Sequence, residues 1–298
     1  MNGIIIIDKP SDYTSFDVIA VMRKLTGQKK VGHTGTLDPM ATGVLPVLLG
    51  SATKAQDIIP NHDKEYIAEF RLGIKTDTQD ITGKIIYQRD SNITREALES
   101  VLEVFSGNIM QVPPMYSAVQ KDGQRLYDLA RKGIEVEREA RPVKIYSLNL
   151  LSFDENSQIG KVCVFCSKGT YIRTLCHDIG EKLGCGATLT SLRRTKACGF
   201  SLEDSITLDN AREVAKQSNL SNYVIDVDKV FSDYRELVVT QNQSTRFKNG
   251  GGLSIERITL PNDYLNEEIF RIYNRDKLFL GLGNINIEKN ELSIFKLF

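Results

Sequence analysis

One carboxylate, Asp38, stands in a loop whose composition can hold it rigidly. Residues 32–50 read GHTGTLDPMATGVLPVLLG, and Pro39 restricts Asp38 to extended conformations. The apolar run 44–49 predicts a buried strand directly after the loop. Such a loop mounts a polar side chain beside a cleft; the alternative is that Asp38 only satisfies a backbone N–H in a turn. Three glycines are expected to allow backbone approaches that a Cβ would block: Gly32, Gly35 and Gly43.

A second group of polar residues opens a helix. Apolar side chains at helical spacing predict one buried stripe, formed by Ile172, Leu175, Cys176, Ile179 and Leu183. Tyr171 and Arg173 lie in its first turn, off the stripe. The helix dipole disfavours an arginine there. A nearby anion would explain it, and Asp38 is a candidate.

Tyr66 begins a segment, residues 66–72 (YIAEFRL), that alternates as a strand does. The alternation places Tyr66 on the apolar face. A core tyrosine at a strand edge is the commoner outcome for such a position, so a functional role needs further support.

The charge pattern leaves two readings open. The chain has 38 basic and 38 acidic residues, so its formal net charge is zero. Residues 161–199 nevertheless carry a net charge of +5. This stretch is either a binding face for a polyanion or an ordinary solvated surface.

The chain offers no metal or membrane signal. Five cysteines include Cys163-x-x-Cys166, but strand alternation points these two thiols to opposite faces, and no second pair completes a zinc site. The three histidines are scattered. The sequence contains no run of about 18 apolar residues, so it predicts no membrane span. The apolar run at the N-terminus is too short, and is followed too soon by an acidic residue, for a signal peptide. A cytoplasmic location is the default expectation.

The remaining pattern predicts a succession of strands and helices in two domains. Residues 1–230 form the main domain and residues 234–298 a small β-barrel-like domain. Residues 111–145 form a long excursion from the core, rich in basic residues and tyrosines. Shorter expectations are a strand over 4–7, a helix capped by Thr14-x-x-Asp17, a short helix over 52–59, a polar turn over 76–84, and paired strands over 143–153 and 161–167.

Five ordered motifs together resemble one family. They are the loop GHTGTLDPMATGVLPV, the Lys9-Pro10 turn, KEYIAEFRLG, PPMYSAV and GTYIRTL. The chain resembles the bacterial tRNA pseudouridine synthase B family over essentially its whole length. The C-terminal segment is similar to a PUA-type RNA-binding domain, with a weaker and partial match. The resemblance implies the pseudouridine synthase fold, an α/β protein of the α+β kind with a mixed, largely antiparallel sheet flanked by helices. It also implies isomerisation of the T-loop uridine at tRNA position 55.

The resemblance also assigns roles to individual residues. Asp38 is the catalytic aspartate that acts on the sugar or as a base, Tyr66 stacks on the flipped uracil near its C5 proton, and Arg173 pairs with Asp38. Further roles follow from the same motifs: Tyr171 and Leu192 line the base pocket, His33 contacts the T-loop, and Lys9 and Pro10 support the active-site loop.

The reaction implied is redox-neutral, so no cofactor or metal is expected. The expected partner is the T-arm and T-loop of tRNA, bound by a monomer. A carboxylate beside an arginine is expected to stay ionised, and it can form a covalent bond to the sugar or a glycal. The base must be extruded and gripped by stacking. The basic stretch 161–199 and the excursion 111–145 are expected to bind the RNA backbone.

Two rival functions remain. A non-catalytic RNA-binding or tRNA-folding protein needs only the Gly-rich loop and the PUA-like tail, but the set of Asp38, Tyr66 and Arg173 argues against it. A phosphate-cradling nucleotide enzyme would need the G-x-x-x-x-G-K-[ST] pattern, which GHTGTLDP lacks.

Overall fold

A computed structural model describes residues 1–298 as two large β-sheets and two small two-stranded ones, with helices packed on the large sheets. The strands are β1 Gly3–Lys9, β2 Val31–His33, β3 Thr42–Leu49, β4 Lys64–Leu72, β5 Ile74–Thr76, β6 Ile85–Gln88, β7 Gly107–Gln111, β8 Gln120–Lys121, β9 Gln124–Arg125, β10 Arg141–Asp154, β11 Ile159–Cys166, β12 Ala187–Ala197, β13 Phe200–Ser201, β14 Ile206–Thr207, β15 Arg235–Val239, β16 Leu253–Ser254, β17 Ile269–Asn274, β18 Phe279–Asn286 and β19 Glu291–Leu297. The helices are α1 Ser15–Thr26, α2 Arg95–Val104, α3 Leu126–Arg131, α4 Ile172–Lys182, α5 Leu208–Lys216 and α6 Gln241–Lys248.

The main sheet has ten strands and is mostly antiparallel. Its order is β14-β1-β3-β12-β4-β11-β10-β7, with β2 on β3 and β13 on β12. Two neighbouring pairs are parallel, β1 with β14 and β3 with β12. The parallel pairing aligns Arg193 and Arg194 with Thr42 and Gly43, directly after the loop that carries Asp38. The centre of the sheet therefore places β12 between β4 and β3, the strand that follows the Asp38 loop.

Helices cover the sheet in two groups. Residues of α2 and α4 join β4, β11 and β12 in a core of 20 buried residues. Residues of α1 and α5 join β1 and β3 in a second core of 12. The predicted cap is present, because Thr14 and Asp17 form a capping box on α1. Gly27 ends this helix in the left-handed conformation. The predicted pairing of β10 with β11 and the buried stripe of α4 are also confirmed.

The C-terminal sheet has five strands in the order β15-β17-β18-β19-β16 and its own core of nine buried residues. Its strands β17 and β18 form an antiparallel hairpin. Phe231 and Leu282 pack with Ala55, Ile59 and Cys198, which joins this sheet to the main one. A mixed sheet flanked by helices with a curled C-terminal sheet confirms the predicted fold class. None of the helices is long and apolar enough to cross a lipid bilayer.

Some local expectations were wrong. The helix expected over 52–59 is a 3₁₀ turn at Gly50–Ala55. Of the three loop glycines, only Gly43 has a left-handed φ, +105°, and a Cβ there would overlap the backbone of Arg194. Gly32 and Gly35 have room for a Cβ in ordinary or slightly tight contact.

The excursion is also shorter than expected. Residues 113–115 and Ser117 are buried, and 141–145 belong to β10, so only residues 118–140 stand out from the core. The proline-rich segment 113–115 packs against the core, although the extended backbone predicted from its prolines was expected to lead the chain away from it.

Candidate active site

Asp38 sits in a turn between β2 and β3 that is fastened on both sides. Its carbonyl accepts from the Ala41 N–H at 3.0 Å. On one side the buried Ser15 hydroxyl accepts from the Leu37 N–H at 2.9 Å and donates to the Leu37 carbonyl at 3.3 Å. On the other side the Pro39 carbonyl accepts from the Asp12 N–H at 2.9 Å. These bonds fix the backbone on which the carboxylate stands.

Lys9 lies beneath this turn and is fully buried. Its ammonium group donates to the carbonyls of Pro10 at 2.9 Å, Tyr13 at 2.5 Å and Pro39 at 3.1 Å. Burial lowers the pKa of Lys9 to about 8, although Asp38 acts in the opposite direction. A buried cation that binds three carbonyls ties the end of β1 to the loop of Asp38.

Arg173 joins the Asp38 loop to the helix α4. Its Nε is 3.0 Å from Oδ2 of Asp38, and its Nη2 is 3.4 Å from Oδ1. Asp38 keeps 37% of its side chain exposed, whereas Arg173 is 6% exposed. The sequence-based pairing of these two residues is therefore present in the structure, and the carboxylate retains an open side for a ligand.

A second carboxylate, Asp80, holds the other side of Arg173, and sequence reasoning missed it. Nη1 of Arg173 is 3.3 Å from Oδ2 of Asp80 and donates to the Thr78 carbonyl at 3.2 Å. Asp80 is 4% exposed, and it also accepts from the hydroxyls of Thr78 and Thr82. Its only sequence signal was an acid among threonines in residues 76–84, read there as a polar turn.

Loss of hydration decides the proton affinity of Asp38. Burial raises the pKa of the Asp38 carboxyl, Arg173 and Lys9 act against the rise, and Asp80 adds to it. Sequence reasoning expected the arginine to dominate. It does not, because burial disfavours the charged carboxylate more than the nearby guanidinium favours it. The carboxyl can thus exchange a proton nearer to neutral pH than an exposed aspartate does.

Tyr66 and Leu192 belong to one apolar surface beside Asp38. Both are buried and share a hydrophobic cluster with Leu37 and Ala41, the residues on either side of the Asp38-Pro39-Met40 segment. Burial raises the pKa of the Tyr66 hydroxyl. The Tyr66 ring therefore carries a neutral hydroxyl. An aromatic ring and an aliphatic side chain, here those of Tyr66 and Leu192, are the kinds of group between which proteins hold an unstacked base.

Arg194 supports the same region from below. It is fully buried, and its Nε donates to the Val44 carbonyl at 2.7 Å and its Nη2 to the Gly35 carbonyl at 3.1 Å. In the β4–β12 ladder it lies opposite Tyr66. One guanidinium thus joins both ends of the Asp38 loop to β12, the neighbour of the strand that carries Tyr66.

Tyr171 caps α4 and is positioned by the start of the excursion. The Gln111 side chain donates to the Tyr171 carbonyl at 3.1 Å and accepts from its N–H at 2.8 Å. The Tyr116 carbonyl accepts from Nη2 of Arg173 at 2.8 Å. Gln111 and Tyr116 were not foreseen, because their contacts come from the inward packing of the proline-rich segment.

His33 ends β2, at the rim of the site. Its ring meets the Phe16 ring edge-on, with centroids 5.9 Å apart and an angle of 78° between the planes. Burial lowers the pKa of His33, and its Nδ1 has no hydrogen-bond partner in the protein. The imidazole is thus neutral and keeps hydrogen-bonding capacity.

The basic stretch 161–199 is largely neutralised in three dimensions. Arg173 and Arg194 are buried. The other paired members are Lys161 with Glu69, Arg193 with Asp8 and Lys196 with Glu65, at 3.4, 2.8 and 3.1 Å. Only two side chains of the stretch are left exposed without an acidic partner, Lys168 and Lys182. The stretch as a whole therefore offers an RNA backbone less positive charge than its sequence suggests, because its acidic partners come from β1 and β4.

Exposed basic residues instead gather on the excursion. An open polar groove of about 570 Å³ lies there, lined by Gln120, Gly123, Gln124, Arg125, Asp128, Arg131 and Lys132. Arg125 and Arg131 stack over the Tyr127 ring at 5.8 and 5.5 Å. No three His, Cys, Asp or Glu side chains come together as a metal site would require.

Family models match most of the chain. Residues 23–172 match the N-terminal domain of TruB family pseudouridylate synthases, and residues 173–232 match the tRNA pseudouridylate synthase B C-terminal domain. A tRNA pseudouridine synthase B of Clostridium tetani is 47% identical over 95% of both chains. That of Clostridioides difficile is 42% identical over 99% of this chain and 98% of the relative.

Solved structures extend the likeness to the whole fold. The chain matches one chain of a Cbf5-Nop10-Gar1 complex with a TM-score of 0.73 and 25% identity, over 99% of this chain and 84% of that one. It also matches a chain of an H/ACA RNP bound to a substrate RNA containing 2′-deoxyuridine, with a TM-score of 0.72 and 23% identity, over 99% and 84%. The second likeness shows the fold alone.

Proposed function

The chain belongs to the TruB family of pseudouridylate synthases, and from that premise we propose that it isomerises the T-loop uridine of tRNA, position 55, to pseudouridine. Asp38 is the group that acts on the flipped-out nucleotide. The observation that carries this role is the single partly open carboxylate, anchored by Arg173 and bordered by Tyr66 and Leu192.

The reaction moves the uracil between two of its own atoms. The bond from N1 to the ribose C1′ breaks, a bond from C5 to C1′ forms, the C5 proton leaves and N1 gains a proton. Ionised Asp38 attacks C1′ and forms a covalent sugar ester, or removes a sugar proton and gives a glycal; both routes need the carboxylate. Arg173 orients the carboxylate, and the open side of Asp38 faces the reacting sugar.

The other side chains act on the base. A T-loop uridine lies inside folded RNA, so it must leave its stack before reaction. The Tyr66 ring stacks on the extruded uracil, with its hydroxyl near C5, and Leu192 and Tyr171 close the pocket. His33 contacts the T-loop at the place that the extruded uridine has left. Lys9 and Pro10 hold the loop of Asp38 in place.

The rest of the chain binds the tRNA. Residues 1–230 form the catalytic domain, with the exposed part of the excursion, 118–140, against the T-arm backbone. Residues 234–298 serve as a PUA-like RNA-binding domain. The protein works as a monomer in the cytoplasm, without a cofactor or metal.

Tritium release tests the proposal. Transcribed tRNA labelled with tritium at C5 of uridine is mixed with the protein, and label lost to water is counted. We expect one tritium released per tRNA, and none from a tRNA with cytidine at position 55. Tight binding without release would favour the non-catalytic RNA-binding or tRNA-folding alternative, and neither binding nor release would overturn both.

A further inference from the structure

An exposed aromatic ring lies beside the catalytic loop. Phe16 is the second residue of α1 and is 67% exposed, although a phenylalanine gains most from burial. Its one aromatic neighbour is His33, which it meets edge-on. We call Phe16 and His33 together the aromatic ledge.

The place of Phe16 relative to Asp38 is fixed by its neighbour. Ser15 is buried and exchanges two hydrogen bonds with the backbone of Leu37, the residue before Asp38. The first turn of α1 is further held by the capping box of Thr14 and Asp17. The ledge is therefore part of the rigid rim of the candidate active site.

Basic residues continue the surface along α1 and into the segment between α1 and β2. Four exposed cations form what we call the basic strip: Arg23, Lys24, Lys29 and Lys30. Phe16, Ala20 and Arg23 are spaced to share one helix face. At 1.5 Å per residue, Arg23 lies about 10 Å along the helix from Phe16. Arg23 donates to the Val31 carbonyl at 3.4 Å, which steadies it beside β2.

The basic strip carries unneutralised charge. None of its four side chains forms an ion pair, in contrast to Lys161, Arg193 and Lys196. The nearest acid along α1, Asp17, is bound by the backbone N–H and hydroxyl of Thr14 at 2.8 and 2.6 Å. The strip thus suits an anionic partner, and an uncharged protein surface would leave the cations without partners.

We infer that the aromatic ledge stacks an unpaired base of the substrate RNA, next to the reacting uridine, while the basic strip binds phosphates of the same strand. Every base presents a flat face to an aromatic ring, so stacking needs no particular sequence. The inference rests on the proposed function, because the substrate RNA is its ligand. It makes Phe16 a binding residue that helps to select unpaired loop nucleotides.

Substitution of Phe16 tests the ledge. In the tritium-release assay on a T-arm hairpin, we expect Phe16→Ala to raise KM about fivefold to a hundredfold, the range for loss of one stacked base. The kcat at saturating RNA should stay unchanged, and Phe16→Tyr, which keeps the ring, should match the wild type. Val104→Ala, at a 57% exposed apolar position on α2, is the matched control.

Salt dependence tests the strip. With all three substitutions Arg23→Gln, Lys29→Gln and Lys30→Gln, the slope of log Kd against log salt should fall in magnitude by about 0.7 per lost phosphate contact. Phe16→Ala should leave that slope unchanged, and so should the control Lys182→Gln.

The outcomes separate the two proposals. Wild-type protein that releases no tritium overturns the proposed function. Wild-type turnover together with an unchanged KM in Phe16→Ala overturns the ledge alone, and an unchanged salt slope in the triple variant overturns the strip. A loss in Phe16→Tyr equal to that in Phe16→Ala would also contradict stacking. Unchanged circular dichroism melting curves confirm that each variant is folded.

Discussion

Arg173 binds Asp38 side-on, with Nε 3.0 Å from Oδ2 and Nη2 3.4 Å from Oδ1. The side-on arrangement leaves Nη1 free for Asp80, at 3.3 Å. A guanidinium can make both contacts because its donors lie in a rigid plane, and an ammonium group cannot. The position of the Asp38 carboxylate thus depends on Asp80, which is almost fully buried.

Arg173→Lys should keep a positive charge but lose the planar contact with both acids. We expect its kcat to fall by about a hundredfold, because a small misplacement of a catalytic group has that effect. Arg173→Met should lose nearly all activity. A rate for Arg173→Lys equal to that of wild type would show that charge alone suffices and that the side-on geometry is irrelevant.

The stability of Arg173 variants should depend on Asp80 more than on Asp38. Arg173→Met leaves the buried Asp80 without its cation, which should cost about 3–5 kcal/mol of unfolding free energy. Because Arg173 keeps Asp80 as a partner, Arg173→Met should still destabilise an Asp38→Asn background. A double-mutant cycle by urea denaturation should give a larger coupling energy for Arg173 with Asp80 than with Asp38; the reverse order would contradict this.

Asp80→Asn should act on Asp38 through charge. Asp80 raises the pKa of the Asp38 carboxyl, so its neutralisation should lower that pKa. Activity needs the carboxylate and is lost as pH falls through this pKa, so the acidic limb of kcat against pH should move to lower pH. The plateau should fall as well, because Arg173 loses an anchor. Asp77→Asn, an exposed acid in the same loop, is the control; an unmoved acidic limb in Asp80→Asn would contradict the coupling.

Part of this site follows from the sequence alone. The spacing of apolar residues in α4 left Arg173 at a helix start where a cation needs an anion, and Asp38 was the anion available. The cap of α1 and the buried strand β3 follow from local rules of the same kind. Such features depend on residues within a few turns or within one strand, where spacing determines the outcome.

The contact of Asp80 with Arg173 and the ion pairs of the basic stretch 161–199 could not be predicted from local spacing. Asp80 reaches Arg173 because the loop 77–84 binds β12 through the Ile81 N–H and the Leu189 carbonyl, at 2.8 Å. Lys161 and Lys196 are neutralised by acids on the neighbouring strand β4. A count of charge along the chain does not include partners that only the strand order brings together.

Lys9 should give activity an alkaline limb. Its pKa of about 8 means that the ammonium loses its proton as pH rises through that value. The neutral amine has two hydrogens for three carbonyls, and it no longer lowers the pKa of Asp38. We expect wild-type kcat to decline with a midpoint near pH 8, and Lys9→Met to show a low rate without that midpoint. Identical alkaline limbs in both proteins would assign the decline to the RNA and not to Lys9.

Tyr66→Phe and Tyr66→Leu should differ in binding and turnover. Phe keeps the stacking face, so its KM should equal that of wild type, whereas Leu should raise KM about fivefold to a hundredfold. The hydroxyl of Tyr66 is kept neutral by its raised pKa, so under the proposed function it can relay the C5 proton as a hydroxyl but does not act as a phenolate. We expect Tyr66→Phe to lower kcat by about a hundredfold. Wild-type kcat in Tyr66→Phe would leave Tyr66 with stacking alone.

The central claim, that the Asp38 carboxylate performs the chemistry, is tested by Asp38→Asn. Asparagine keeps the size of the side chain and removes the charge that both chemical routes require. Tritium release from C5-labelled tRNA should fall by several orders of magnitude, while the Kd for tRNA stays within about twofold of wild type. Release above about 1% of the wild-type rate, from protein shown by mass spectrometry to be free of deamidated Asp38, would contradict the assignment of Asp38 as the reacting group.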